Sequence, residues 1–195
     1  MKSKEVMLSL GANLPSFVGA PEQTIRAAVE DIDRSIGSVR QASSLYKSTA
    51  VTLEGQEDIP DFINACVLVE TSLTPAEILQ EVQAIERAYG RKPAARWSAR
   101  PLDLDLIGYG DLVLPDKAAW RLLVESDDPA AILEEPVVPH PRAHQRGFVL
   151  APLKDVAPKW VHPVLKKTVA ELYEDLYRTD GLSGVWKIPL VNSSA

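Results

Sequence analysis

Two aspartates one residue apart, Asp103 and Asp105, interrupt an apolar run in the stretch RWSARPLDLDLIGYG at 96–110. Side chains alternate along a strand, so Leu102, Leu104 and Leu106 point one way and both carboxylates the other. Residues i and i+2 of a strand lie roughly 6.5–7 Å apart, a spacing that suits oxygen donors converging on one or two hard cations. Asp is depleted in strands, and like charges on one face repel unless something positive sits between them. A half-exposed strand with two solvated acids would carry the same pattern. The preceding residues favour the cation: 87–100 holds Arg87, Arg91, Lys92, Arg96 and Arg100 and no acid, on a chain of net charge −6. A solvated basic loop also fits that segment. Beside paired acids, however, guanidinium forks can grip phosphate oxygens while the carboxylates hold magnesium, which points to a phosphorylated substrate.

Other chemistry-bearing residues are more ambiguous. Gln83 and Glu86, three apart, share a flank of a predicted helix and read as helix surface or as nucleotide contacts. Trp97, between arginines, either anchors its loop or stacks on a flat ligand. The stretch VVPHPRAHQRGFVLAPL at 137–153 supplies His140, Arg142, His144, Arg146 and Phe148. His140 and His144 have the four-residue spacing of a zinc pair. Pro141 favours a turn between them and no third ligand is near, so phosphate contacts from His140 and Arg146 fit better. No GxxxxGK[ST] motif occurs, and the glycines of GANLPSFVGAP lack the dinucleotide-binding spacing.

The elements that must position these residues follow from periodicity. EVMLSL at 5–10 reads as a strand. Pro21 opens a helix with apolar positions Ile25, Ala28, Val29, Ile32 and Ile36, ended by Gly37. Residues 39–48 and 62–71 read as strands. Thr74 and Glu77 form a capping box for a helix whose core stripe is Ile78, Val82, Ile85 and Tyr89, stopping at Gly90; the aspartate strand comes next. The order strand, helix, strand, strand, helix, strand predicts an α+β fold, a ferredoxin-like βαββαβ sandwich with an antiparallel sheet and both helices on one face. Residues 115–136 read as an insertion, 161–195 as a C-terminal extension, with helices near 148–156 and 168–177. At 195 residues, 46% hydrophobic and 25% charged, one domain with a core over about 5–160 is expected. The acidic balance argues against a nucleic-acid partner, and no segment reads as a signal peptide or membrane span. The lone Cys66 rules out an internal disulfide and suits a reducing cytoplasm.

Several ordered pieces together carry a family resemblance: LSLGANL (8–14), SSLYKS (43–48), DFINA (61–65), QAIERAYGR (83–91), RWSARPLDLDLIGYG (96–110) and PHPRAHQRGFVLAPL (139–153). The chain resembles the 6-hydroxymethyl-7,8-dihydropterin pyrophosphokinases of folate biosynthesis. The resemblance implies transfer of pyrophosphate from ATP, the co-substrate, to the hydroxymethyl group of a pterin. It implies that Asp103 and Asp105 hold two magnesium ions and that Arg91 and Arg100 act catalytically on the phosphates. Gln83, Glu86, Arg96, His140 and Arg146 would line the ATP site. Trp97 and Phe148 would sandwich the pterin, with Ser48, Phe62 and Asn64 around its edge. Phe62 stands where relatives often have tyrosine, and Pro141 where many have an aromatic residue. Two other readings fit the residues alone: another magnesium-dependent phosphoryl or nucleotidyl transferase, and a ferredoxin-like RNA-binding module, which would need exposed aromatics on its central strands.

Overall fold

The computed structural model describes residues 3–50, 59–91, 99–126, 133–179 and 181–189. The first strand, β1 (Lys4–Ala12), leads to helix α1 (Pro21–Ser35); β2 (Ser38–Ala42), β3 (Tyr46–Ser48) and β4 (Phe62–Thr71) follow. Helix α2 (Pro75–Ala88) then precedes the aspartate strand β5 (Asp103–Tyr109). The sheet runs β5-β1-β4-β3 with β2 also on β4, and these pairings are antiparallel. This is the expected ferredoxin-like order, with one change: the strand expected over 39–48 is two, β2 on the 67–70 end of β4 and β3 on its 62–64 end. The slip between Val39 and Gln41 lies within β2, whereas the break between the two strands falls at 43–45, where the Cys66 amide donates to Ser43 Oγ at 2.9 Å instead of to a strand carbonyl.

Sequence signals at the helix starts are realised. Thr74 accepts a hydrogen bond from the Glu77 amide at 3.3 Å, and the Glu77 carboxylate accepts one from the Thr74 amide at 2.7 Å, closing the capping box with Pro75 in the first turn. On the helix side of the sheet, Val6, Leu8, Leu10 and Ala12 of β1, Ile63, Ala65, Val67 and Val69 of β4 and Leu104 and Leu106 of β5 join Ile25, Ile32, Ile78 and Val82 of the helices in the main core. The opposite face is divided. Met7, Cys66 and Ile107 are buried there beneath α4 (Gly147–Val156), with α5 (Val169–Arg178) beyond it. The other end of that face carries Gly11, Asn64, Asp103 and Asp105. A strand covered on both sides reads as apolar throughout, which is why FINACVLVET lacks alternation.

Two elements were not anticipated. Helix α3 (Lys117–Glu125) lies within the 115–136 insertion, capped by Asp116, whose carboxylate accepts from the Ala118 and Ala119 amides at 2.8 and 2.9 Å. Strand β6 (Val185–Lys187), within the C-terminal extension, pairs antiparallel with β3. No helix among the described residues is long and apolar enough to cross a membrane.

Helix α3 is anchored by Trp120, 1% exposed, whose indole N–H donates to the Pro139 carbonyl at 2.7 Å. Its ring meets His162 at 5.1 Å and His144 at 5.9 Å between centroids. His162 Nδ1 accepts from the Leu165 amide at 3.1 Å, so the neutral ring carries its proton on Nε2. Among the described residues that atom has no hydrogen-bond partner. Burial, helped by His144, pulls the His162 pKa from 6.5 to about 4. An unfolded chain therefore takes up a proton as pH falls through 6.5, while the folded chain resists until about 4, and stability is lost as pH falls across that window. The urea midpoint should accordingly drop over this range, and His162→Gln should give a shallower slope, measured as midpoint against pH.

Candidate active site

The floor of the site is set by sheet register. Asp103 lies opposite Gly11 of β1, which in turn lies opposite Asn64 of β4. Asp105 lies opposite Ser9, which faces Cys66. Both aspartates thus share the face left open beyond α4, as their spacing predicts. Gly11 lies between Asp103 and Asn64, where a Cβ would make ordinary contacts, 3.5 Å from Asn64 Oδ1, 3.9 Å from the Phe62 ring and 4.0 Å from Asp103 Cβ. Asn64 is buried and donates through Nδ2 to Ser48 Oγ at 3.0 Å, so these two polar side chains form one unit beside Phe62.

Charge is arranged unequally over the two aspartates. Asp103 Oδ1 accepts from Arg91 at 2.6 Å and from Arg100 at 2.9 Å. Arg91 also pairs with Glu86. Asp105 forms no side-chain hydrogen bond or ion pair among the described residues; burial raises its pKa, opposed by the nearby charges of Arg146, Arg91 and Arg100. Two carboxylates on one face, one of them without a direct ion pair among the described residues, fit magnesium, which takes one or two protein carboxylates and completes its shell with water and substrate phosphates. The described residues offer no cluster of three or more metal-ligating side chains, so an all-protein cage is not what this arrangement supplies.

Glu86 is 5% exposed, not on the helix surface. Its Oε1 accepts from the Leu104 amide at 2.7 Å and from Arg91, joining α2 to β5 and holding the guanidinium toward Asp103. Burial pushes its pKa up to about 7, against the opposing pull of the Leu104 amide and Arg91. Gln83, on the same helix, is exposed.

The wall comes from 138–148. Leu114 and Val138 exchange backbone hydrogen bonds of 2.7 and 3.2 Å, and the His140 amide donates to Ile107 O at 3.0 Å, fastening this stretch to the end of β5. Trp120 holds it from behind through Pro139. His140 Nδ1 accepts from the Arg142 amide at 3.1 Å, leaving Nε2–H as a donor, and burial with neighbouring Arg146 lowers its pKa to about 3. The ring is neutral at physiological pH. The Arg146 guanidinium lies 5.8 Å from the centre of the Phe148 ring at the start of α4. Arg96 and Trp97 lie outside the described residues.

Asn13 was missed by sequence reasoning as a site residue. It is 3% exposed; Nδ2 donates to Pro60 O at 3.1 Å, Oδ1 accepts from the Arg100 amide at 2.8 Å, and its own amide donates to Arg100 O at 3.2 Å. It thereby fixes the backbone of the arginine that holds Asp103. Gly11 and Trp120 were missed too. Both Gly11 and Asn13 stand in the SLGANL stretch, whose tripeptide of small and polar residues after an apolar strand was the available signal.

The family described as 7,8-dihydro-6-hydroxymethylpterin-pyrophosphokinase (HPPK) matches residues 7–158. A 2-amino-4-hydroxy-6-hydroxymethyldihydropteridine pyrophosphokinase of Synechocystis sp. is 36% identical over 183 residues, covering 93% of this chain and 79% of that one. The protein of the same name from Haemophilus influenzae is 33% identical, covering 80% of this chain and 83% of that one. A crystal structure of wild-type Plasmodium falciparum HPPK-DHPS superposes with a TM-score of 0.68 at 16% identity, covering 96% of this chain, and shows the same fold. The present chain spans 48% of that HPPK-DHPS chain.

The position of Glu86 makes a separable prediction. Glu86→Gln keeps an acceptor for Leu104 N–H but gives up the charge facing Arg91, and should cost less than Glu86→Ala. Glu86→Ala leaves that amide unsatisfied and should cost about 1–3 kcal/mol, read from urea unfolding.

Proposed function

The chain belongs to the 7,8-dihydro-6-hydroxymethylpterin-pyrophosphokinase family, and from that premise we propose how its own residues carry the reaction. The enzyme is a transferase of folate biosynthesis that uses ATP as co-substrate and moves a pyrophosphoryl group to the hydroxymethyl oxygen of 6-hydroxymethyl-7,8-dihydropterin. That oxygen bonds to the β-phosphorus and gives up its proton to solvent, the bond between the β-phosphorus and the α,β-bridging oxygen breaks, and AMP leaves. The observation that carries the assignment of residues is the shared face of Asp103 and Asp105, ringed by Arg91, Arg100 and Arg146.

Asp103 and Asp105 would hold two magnesium ions, which when bound supply charge neutralisation, a lowered pKa for the acceptor hydroxyl and an in-line orientation of the phosphates. Arg91 and Arg100, already fixed near that position by Glu86 and Asn13, exchange carboxylate for phosphate oxygens as the nucleotide arrives. Neutral His140 donates its Nε2–H to a phosphate oxygen, and Arg146 adds positive charge beside it. Gln83 and Arg96 complete the nucleotide side. The pterin ring stacks on Phe148 with Trp97 on its other face, and its polar edge meets the Asn64–Ser48 unit beside Phe62.

General-base catalysis by a side chain has poor support. His140 is too weak a base at a pKa of about 3, and the inward Glu86 oxygen is taken by Leu104 N–H and Arg91. Alignment and electrostatics therefore supply the acceleration. The buried Cys66 thiol suits a reducing cytoplasmic setting. Since the matched HPPK-DHPS chain is about twice as long, the proposal concerns the pyrophosphokinase reaction alone.

Asp105→Ala should lower pterin-dependent AMP release by about a thousandfold or more while leaving the melting temperature unchanged or higher, because a partly buried carboxylate with no direct ion pair among the described residues is removed. An active variant would take Asp105 out of the metal site. Phe148→Ala should weaken pterin binding more than binding of a non-hydrolysable ATP analogue, compared by calorimetric titration. Equal losses would mean that the ring only packs the start of α4.

A further inference from the structure

The C-terminal segment 181–188 lies outside the residues matched by the family. It nevertheless touches both sides of the region assigned to the pterin. At one end it passes across the start of α4. A Cβ on Gly147 would lie 2.5 Å from Gly181 O and 2.9 Å from Leu182 Cδ2, so the strap is seated directly on the residue between Arg146 and Phe148. At the other end it is built into the sheet. Val185 pairs with Ser48 and Lys187 with Tyr46, and these pairs are bracketed by hydrogen bonds from the Thr49 amide to Gly184 O (3.0 Å) and from the Ile188 amide to Leu45 O (2.8 Å). A third tie closes the triangle. Lys187 Nζ reaches Asp155 Oδ2 at 3.1 Å near the end of α4, and the same carboxylate accepts from the Tyr46 hydroxyl at 3.1 Å.

Ser48 and Phe148 belong to different elements, β3 and α4. Strand β3 is three residues long and has β4 on one edge. Such a strand has few hydrogen bonds of its own to fix its position. The strap gives it a second edge and links that edge to the helix bearing the aromatic wall. We propose that residues 181–188 are a positioning element of the substrate pocket, setting the separation between Phe148 and the Ser48–Asn64 unit and hence the fit of a flat bicyclic ring. This rests on the reading that Phe148, Ser48 and Asn64 contact the pterin.

Two variants load the strap at opposite ends. Gly184 has φ +72°, a left-handed conformation that valine adopts only with strain, and its Cβ would press on Thr49 Oγ1. Gly184→Val should therefore displace the β3 end, and the milder Leu182→Ala should loosen the α4 end. In full-length protein, both should raise the KM for the pterin about tenfold, leave the KM for ATP within about twofold, and leave the melting temperature within a few degrees. An unchanged pterin KM in both variants, or pterin and ATP constants rising together, would overturn the positioning role. Failure of the unmodified protein to turn over the pterin would instead defeat the underlying assignment, and that result is visible before either variant is made.

Discussion

The arrangement depends on how one edge of the sheet tolerates concentrated charge. Asp103 is neutralised by two guanidinium groups, and one of these is held by a carboxylate buried beneath α2. Each partner also has a tie to the backbone: Glu86 to the amide of Leu104, Arg100 through its own amide to Asn13. Removing Glu86 or either guanidinium leaves a charge poorly solvated in a partly closed setting, where the penalty exceeds that of losing an exposed ion pair. Arg91 and Arg100 are thus already positioned over Asp103 by contacts with the protein itself.

That organisation is possible because the two sides of the sheet do different work. The side beneath α1 and α2 is apolar along its length and supplies the main core. Among the described residues, the reverse side is capped by α4 and α5 at one end, where Met7, Cys66 and Ile107 lie. Where the cap stops, the same strands carry glycine, asparagine and aspartate in place of large apolar groups. The boundary between packing and chemistry therefore falls along single strands, and α4 forms both the edge of the second core and one wall of the site.

Much of this could be read from residue patterns, and the exceptions have physical reasons. The two-residue period through Leu102–Leu106 places both aspartates on one face because β5 is a regular strand where they lie. Strands β1 and β4 and helices α1 and α2 carry long, uninterrupted patterns with caps. The division of 39–48 was not legible, since it falls where the Ser43 hydroxyl takes the Cys66 amide, and one serine within a strand-like run leaves no distinctive pattern. Strand β6 is too short for periodicity to have meaning. Glu86 is instructive in the opposite way. Val82, Ile85, Glu86 and Tyr89 fall at i, i+3, i+4 and i+7, so the helical period itself puts this acid on the buried stripe, and its charge disguised that position. Asn13 and Trp120 act through side-chain hydrogen bonds to distant backbone, a property that spacing does not encode.

The burial of Cys66 has a practical side. Its sulfur sits beneath α4, 3.7 Å from the Val149 carbonyl, and desolvation drives the thiol strongly toward its protonated form. Thiolate is the reactive species toward maleimides and iodoacetamides, so the native cysteine is inert to such reagents while the fold is intact. With a single cysteine in the whole sequence, a thiol engineered onto the surface would accept a fluorophore or spin label at one defined place, without first having to strip the background.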